Sequence, residues 1–256
     1  MSLLTTARLS KRFGGIVAVN EVDISVGAGE ICGLIGPNGS GKTTLVNVIT
    51  GIYRPTAGEV AFEGKPIHGR PAHEICAMGI GRTFQNIRLL LRLSIFDNIR
   101  LGAHVHRRSN LWDVLLQTGK IRQETKEFAD RIEAMLDFTG LRQYRDELAR
   151  NLPYGRQKVV EIARALMARP KLLLLDEPAA GLNSSEKGTL IALLRKIRDS
   201  GVSILLIEHE MALVEALSDR VFVLNYGKKI SQGSFAEIQQ DAAVIEAYLG
   251  RGGAHA

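Results

Sequence analysis

Residues Gly36 to Thr43 read G-P-N-G-S-G-K-T and fit the phosphate-binding pattern G-x-x-x-x-G-K-[ST] without a mismatch. Such a loop works only between a strand and a helix, so it constrains the fold around it. The apolar run Ile31 to Ile35 supplies the strand, and the stretch Thr43 to Thr50 is compatible with the helix. Gly36, Gly39 and Gly41 carry no Cβ, so the backbone can bend and bring its N–H groups close to phosphate oxygens. Pro37, Asn38, Ser40 and Thr44 complete the expected cradle, and the helix starting near Lys42 adds its positive dipole end. Lys42 is expected to reach the β- and γ-phosphates, and Thr43 to give its hydroxyl to Mg²⁺.

The 256 residues allow one large or two small domains with a sizeable core. At 45% hydrophobic and 23% charged the chain has the composition of a globular protein. No stretch approaches the roughly 18 apolar residues of a membrane helix, and Ser10, Lys11 and Arg12 interrupt any signal-peptide pattern. Cys32 and Cys76 show no ligand spacing and read as reduced structural thiols. The net charge of +6 is spread rather than blocked, which favours a solvated surface over a nucleic-acid or membrane face.

Short strands are expected at the front, over Leu3 to Leu9, Val22 to Val26 and Glu59 to Glu63. From about Ile87 to Arg150 apolar residues recur at helical spacing, as in Ile132, Met135, Leu136 and Leu141. Unbroken apolar runs follow at Leu172 to Leu175, Val202 to Ile207 and Val221 to Leu224, as buried parallel strands require. The pattern predicts an α/β nucleotide-binding core with a β-rich segment at its front and a helical segment inserted in its middle.

Lys171 to Pro178 read K-L-L-L-L-D-E-P, a buried strand ending in two carboxylates. Ligands of open α/β sheets bind beyond the carboxyl ends of strands. Asp176 is therefore expected to hold Mg²⁺ and Glu177 to act as general base toward the attacking water. Gln85 lies where the β-rich part gives way to the helical part, as a metal or water contact and hinge or as an ordinary surface glutamine. His209 follows a strand end, either facing the γ-phosphate or as a satisfied structural histidine.

Asn151 to Leu166 read N-L-P-Y-G-R-Q-K-V-V-E-I-A-R-A-L, and Leu152 to Arg156 resemble the L-S-G-G-Q signature of ABC ATPases. The segment stands about 110 residues after the phosphate loop and about 20 before Asp176, as in ABC transporter subunits. Phe13 resembles the aromatic residue that stacks on adenine, Gln85 the Q-loop glutamine, Ala180 to Asn183 the D-loop and His209 the H-loop histidine. The resemblance covers essentially the whole chain. It implies the ABC ATPase fold: a RecA-like P-loop core (1–86 and 156–256) with an N-terminal antiparallel β subdomain and an inserted α-helical subdomain (87–155). It also implies ATP and Mg²⁺ as cofactors, catalysis by Lys42, Gln85, Glu177 and His209, and metal binding by Thr43, Gln85 and Asp176. Two subunits pair head to tail, so that Leu152, Tyr154 and Gly155 close in trans over the ATP held by the partner's loop.

Pro153 replaces the signature serine and has neither hydroxyl nor N–H. Tyr154 replaces the first glycine, Arg156 the usual glutamine, with Gln157 one position later as a substitute, and Asn183 the D-loop aspartate. Several segments resemble the ATPase subunits of branched-chain amino acid importers, of the LivG type. These are G-I-G-R-T-F-Q-N at Gly79 to Asn86, A-A-G-L-N at Ala179 to Asn183, I-E-H-E-M at Ile207 to Met211 and V-I-E-A-Y-L-G at Val244 to Gly250. The resemblance implies import of branched-chain amino acids or related small amides and acids, at the cytoplasmic face of the cell membrane. It also implies two membrane permease subunits, an extracytoplasmic solute-binding protein and a homodimeric or related second ATPase. Ile87, Leu89, Leu90, Leu91 and Leu93 are either the permease-docking groove or core. The alternative is an ABC ATPase acting on nucleic acid or in translation. Repair types carry a long coiled coil between loop and signature, and the gap here is short and lacks sustained heptads.

Overall fold

The computed structural model of the protein describes residues 2–85, 87–103 and 119–249. The chain divides into two compact units, Met1–Gln85 with Lys171–Ala256 and, between them in sequence, Asn86–Pro170.

The first unit opens with β1 (Ser2–Phe13), β2 (Ile16–Val22), β3 (Ser25–Gly27), β4 (Ile31–Ile35), α1 (Lys42–Ile49), β5 (Ala57–Phe62), β6 (Lys65–Pro66), α2 (Ala72–Ala77) and β7 (Ile80–Arg82). The second unit holds α3 (Ile95–Leu101), α4 (Gly119–Thr139), two 3-10 turns (Arg142–Tyr144 and Ala149–Asn151) and α5 (Tyr154–Leu166). The first unit resumes with β8 (Leu172–Asp176), α6 (Ser184–Asp199), β9 (Ser203–Ile207), α7 (Met211–Leu217), β10 (Arg220–Asn225), β11 (Lys228–Gly233), α8 (Phe235–Gln240) and α9 (Ala242–Leu249). The second unit runs to Pro170 rather than stopping at 155, because Tyr154–Leu166 is one continuous helix and the expected boundary falls in its first turn.

Two sheets make up the first unit. One is antiparallel, in the order β2-β1-β5-β6, with β3 also pairing β1. The other has the order β11-β10-β4-β9-β8-β7, parallel from β10 to β7 with β11 antiparallel at its edge. Every residue of β4, β8 and β9 is buried, which is why these strands read as unbroken apolar runs instead of alternating. Alternation reappears in how they pack. Cys32, Leu34, Phe222 and Leu224 join a core shared with Leu4, Phe62 and Leu45, whereas Ile35, Val221 and Val223 join a second core with Phe235 and Ile238.

The front strands depart from the sequence expectation, which placed one strand over Val22 to Val26 and none over Ile16 to Glu21. Val22 ends β2, Val26 lies in β3, and the two residues after Val22 leave the ladder. Asp23 Oδ1 accepts from the Arg8 N–H at 2.5 Å and the Ile24 N–H donates to Thr6 Oγ1 at 2.9 Å, so side chains replace backbone partners there. Both cysteines are free, and Cys32 is buried in β4, where burial and the neighbouring Glu30 carboxylate push its thiol up to about 12.

In the second unit, Ile132, Leu136 and Leu141 are fully buried. Asn98, also fully buried, accepts from the Leu90 N–H at 2.9 Å and donates to the carbonyls of Leu90, Leu93 and Ser94. It fixes a loop in which Leu89 is buried while Leu90 and Leu91 are 52% and 49% exposed. The apolar cluster of that loop therefore divides, one leucine facing core and two facing solvent.

Candidate functional site: a nucleotide-binding sheet edge

The carboxyl ends of four adjacent parallel strands meet at one level. Leu34 pairs with Ile207, Ile207 with Asp176, and Leu174 with Arg82. The segments that leave these ends are the phosphate loop after β4, Glu208 and His209 after β9, Glu177 after β8 and Gln85 after β7. The strand order thus collects residues that lie far apart in sequence at the edge where α/β sheets bind ligands.

In the phosphate loop, Gly36, Gly39 and Gly41 all have positive φ, at 149°, 80° and 103°. Two of them also lack room for a side chain. A Cβ on Gly36 would overlap the Leu224 carbonyl oxygen and one on Gly41 that of Ala18. Lys42 begins α1 and is 8% exposed, its Nζ donating to the carbonyls of Gly36 at 2.7 Å and Pro37 at 3.1 Å. Ser40 Oγ is buried and has no hydrogen-bond partner among the described residues. Asn38 and Thr43 are exposed, and Thr44 is half-buried. A narrow glycine cradle, a buried ammonium and an unmatched hydroxyl form a donor set that fits phosphate.

Asp176 ends β8 at 4% exposure, with its Oδ2 3.1 Å from the Arg82 guanidinium. Arg82 also donates to Asn47 Oδ1 at 2.6 Å and Thr50 Oγ1 at 3.2 Å. It therefore ties β7 and β8 to α1, and it is a site residue to which sequence reading gave no role. The sequence contained it, within G-I-G-R-T-F-Q-N, but none of its partners is local.

Glu177 has φ 48°, a strained value for a residue with a side chain, and its N–H donates to the Ile207 carbonyl at 2.9 Å. The sharp turn carries its carboxylate to Gln85, whose Nε2 donates to Glu177 Oε2 at 2.9 Å. His209 Nδ1 stands 3.8 Å from Glu177 Oε1, with the histidine side chain 59% exposed. A cavity of about 340 Å³ is lined by Gly36, Pro37, Asn38, Gln85, Glu177, His209 and Tyr248. Sequence reading brought together all of these except Tyr248, which belongs to α9.

Glu208 is a second residue that sequence reading passed over. It is fully buried, and burial holds its carboxyl above the usual carboxylate range. Its Oε1 accepts from the Ala179 N–H at 2.9 Å and its Oε2 from the His209 N–H at 3.2 Å. It links the turn after Glu177 to the backbone of His209.

Phe13 is 42% exposed at the end of β1, edge-on to Tyr53 at 5.2 Å, with Lys11 Nζ 4.9 Å from its ring centre. Asn183 caps α6 in a full capping box, accepting from the Glu186 N–H at 3.0 Å while Glu186 Oε2 accepts from the Asn183 N–H at 3.0 Å. Asparagine and aspartate cap equally well, so this departure keeps the local structure.

In the second unit Pro153 is the N-cap of α5, with φ −54° and ψ 150° and no side-chain cap. Tyr154 is 45% exposed, whereas Leu152 is 5% exposed and Gly155 is buried. The Leu152 side chain is therefore buried in this chain. Gln157 is engaged locally, its Nε2 donating to the Leu152 carbonyl at 2.9 Å.

Residues 19–180 match the family model described as ABC transporter, and residues 228–254 match that described as branched-chain amino acid ATP-binding cassette transporter. Over 249 residues, 97% of this chain and 98% of the relative, it is 41% identical to the high-affinity branched-chain amino acid transport ATP-binding protein BraF of Pseudomonas aeruginosa. It is 41% identical, with the same coverage, to the corresponding protein LivG of Escherichia coli. A crystal structure of an ABC transporter ATP-binding cassette in its ADP conformation superposes with a TM-score of 0.86 at 33% identity, covering 98% of this chain and 99% of that one. No helix among the described residues is long and apolar enough to cross a membrane. By the extent of these matches and the sheet edge just described, the chain belongs to the ABC transporter family, as one of its ATP-hydrolysing subunits of the branched-chain amino acid type.

Proposed function

We propose that this chain energises an importer of branched-chain amino acids or closely related small amides and acids, through a site built as follows. Gly36, Pro37, Asn38, Gly39, Ser40, Gly41, Lys42, Thr43 and Thr44 cradle the phosphates, and Phe13, backed by Tyr53, offers its ring to the adenine. Glu177 is the general base toward water, oriented by Gln85, and His209 faces the reacting phosphate. The oxygen donors Thr43, Gln85 and Asp176 suit Mg²⁺, a hard cation that takes oxygen ligands. Mg²⁺ supplies charge neutralisation at the phosphates. The observation that carries this reading is the cavity shared by Gly36–Asn38, Gln85, Glu177 and His209.

The site is half of a pair. The N-terminus of α5, with the backbone at Tyr154 and Gly155, closes over ATP held by a second ATPase chain, identical or related. Because the γ-phosphate then bridges two chains, its binding drives closure and its loss permits reopening. Two membrane permease subunits and an extracytoplasmic binding protein complete the transporter, with this chain at the cytoplasmic face and no nucleic-acid partner.

Uptake and nucleotide binding test the reading together. Lys42→Ala removes the buried ammonium of the cradle and should weaken ATP binding by about tenfold or more. It should abolish binding-protein-dependent uptake of labelled leucine, isoleucine and valine in cells relying on this chain. Unchanged ATP titration would reject the phosphate-loop assignment. Intact uptake of all three amino acids would reject the solute class.

A further inference from the structure

The last ladder pair between β8 and β9 is Asp176 with Ile207. Just beyond it, the Glu177 N–H donates to the Ile207 carbonyl at 2.9 Å. Past that point the side chain of Glu208 makes the link. Its Oε1 accepts from the Ala179 N–H at 2.9 Å and its Oε2 from the His209 N–H at 3.2 Å. Its own N–H donates at 3.4 Å to the carbonyl of Leu34, just before the phosphate loop. Glu210 ties the same segment to α6, its Oε1 accepting from Lys187 Nζ at 2.8 Å. His209 lies between these two glutamates, its Nδ1 3.9 Å from Glu208 Oε2 and 3.8 Å from Glu177 Oε1. The imidazole is 59% exposed, so its place is set by its backbone more than by packing. Glu208 is fully buried, and a buried carboxylate is unfavourable unless donors satisfy it. The backbone N–H groups of Ala179, His209 and Glu210 favour its charged form against burial. An ionised carboxylate offers two acceptor oxygens and no donor, whereas glutamine of the same shape offers one and turns an amide N–H toward a backbone donor. The residue type at this position is therefore the one that can join both backbone segments.

We propose that Glu208 is a positioning residue for ATP hydrolysis, its carboxylate anchoring the backbone of His209 to the turn that carries Glu177, so that the histidine keeps its place beside the general base. The inference rests on the assignment of His209 and Glu177 in the proposed function and adds the residue that sets their spacing. Glu208 acts through His209 and, being fully buried, touches no nucleotide itself. Its side chain makes no listed bond to the phosphate loop, which it reaches only through its backbone N–H at Leu34. Substituting the side chain should therefore slow the chemical step without loosening the nucleotide.

The test measures steady-state and single-turnover ATP hydrolysis by the full-length chain, with its permease subunits where turnover requires them. Glu208→Gln keeps the shape and removes one acceptor. Its kcat should fall about 10- to 100-fold, while KM for ATP and affinity for a fluorescent non-hydrolysable ATP analogue stay within about twofold. Glu208→Asp keeps both acceptor oxygens and should lose less of kcat than Glu208→Gln. Where Glu208→Gln does not fold, Glu208→Asp carries the same test, again with kcat lowered and KM within about twofold. In a His209→Ala background either substitution should slow single-turnover hydrolysis by less than about twofold further, because a residue that acts through another is not additive with it. An unchanged kcat, a matching loss of ATP affinity, or the full loss repeated in the His209→Ala background would overturn the proposal. His209→Ala alone separates the two readings. If it leaves kcat unchanged, the histidine itself is misassigned, whereas if it lowers kcat and the Glu208 substitutions do not, only the positioning role fails.

Discussion

Arg82 is the residue on which the buried polar part of the site turns. Its guanidinium and the Asp176 carboxylate are 9% and 6% exposed, and it also donates to Asn47 on α1 and to Thr50, the residue that caps that helix. Removing one member of such a pair leaves the other charged, buried and uncompensated. Arg82→Gln should therefore lower unfolding free energy by about 3 to 5 kcal/mol. Chemical denaturation measures this, and a change below about 1 kcal/mol would mean that Asp176 is solvated without its partner. The residues of the phosphate loop were legible in sequence because the loop is contiguous and each member has a chemical reason for its place. Arg82, Glu208 and Tyr248 were not, although each lies within a segment that resembles the importer ATPases. Their roles depend on partners brought in by the sheet: Arg82 meets Asp176 across 94 positions and Glu208 meets Ala179 across 29.

Among the elements, the strands buried on both faces were legible and the half-exposed ones were less so. The cores of β4, β8, β9 and β10 match the unbroken apolar runs, because burial on both faces leaves no polar position to blur them. The antiparallel front strands carry side-chain substitutes for ladder bonds, as at Asp23 and Thr6, and apolar pattern alone does not reveal these. The signature helix α5 shows a third case. Its N-cap is Pro153, which leaves the first-turn N–H groups without a side-chain cap. A serine there accepts from the helix N-terminus and stabilises it by about 1 kcal/mol. In the proposed pair its hydroxyl would also face the nucleotide of the partner chain. Pro153→Ser should lengthen the lifetime of the ATP-bound dimer severalfold in a hydrolysis-deficient background, as read by dissociation kinetics. An unchanged lifetime would mean that the backbone N–H groups at Tyr154 and Gly155 already supply that contact.

The whole chain combines a nucleotide unit with a helical unit, and the division falls immediately after Gln85, the residue that bonds Glu177. In sequence, Gln85 is followed directly by the segment that begins the helical unit. There Asn98 holds a loop with Leu90 and Leu91 outward, an apolar pair suited to a permease helix. Leu90→Asp with Leu91→Asp should abolish co-purification with the permease subunits while leaving ATP affinity within about twofold, since both side chains lie outside the site. Retained co-purification would move the docking surface elsewhere.

In the function proposed, this chain carries half of an ATP site and completes it only by pairing. The most direct measurement is the solution mass of Glu177→Gln, by light scattering with and without ATP and Mg²⁺. The mass should shift from the 28.0 kDa monomer to twice that value, or to a complex with a related ATPase where that is supplied, and should not shift when Lys42→Ala is added. A chain that saturates with ATP yet stays at 28.0 kDa with either partner present would contradict it.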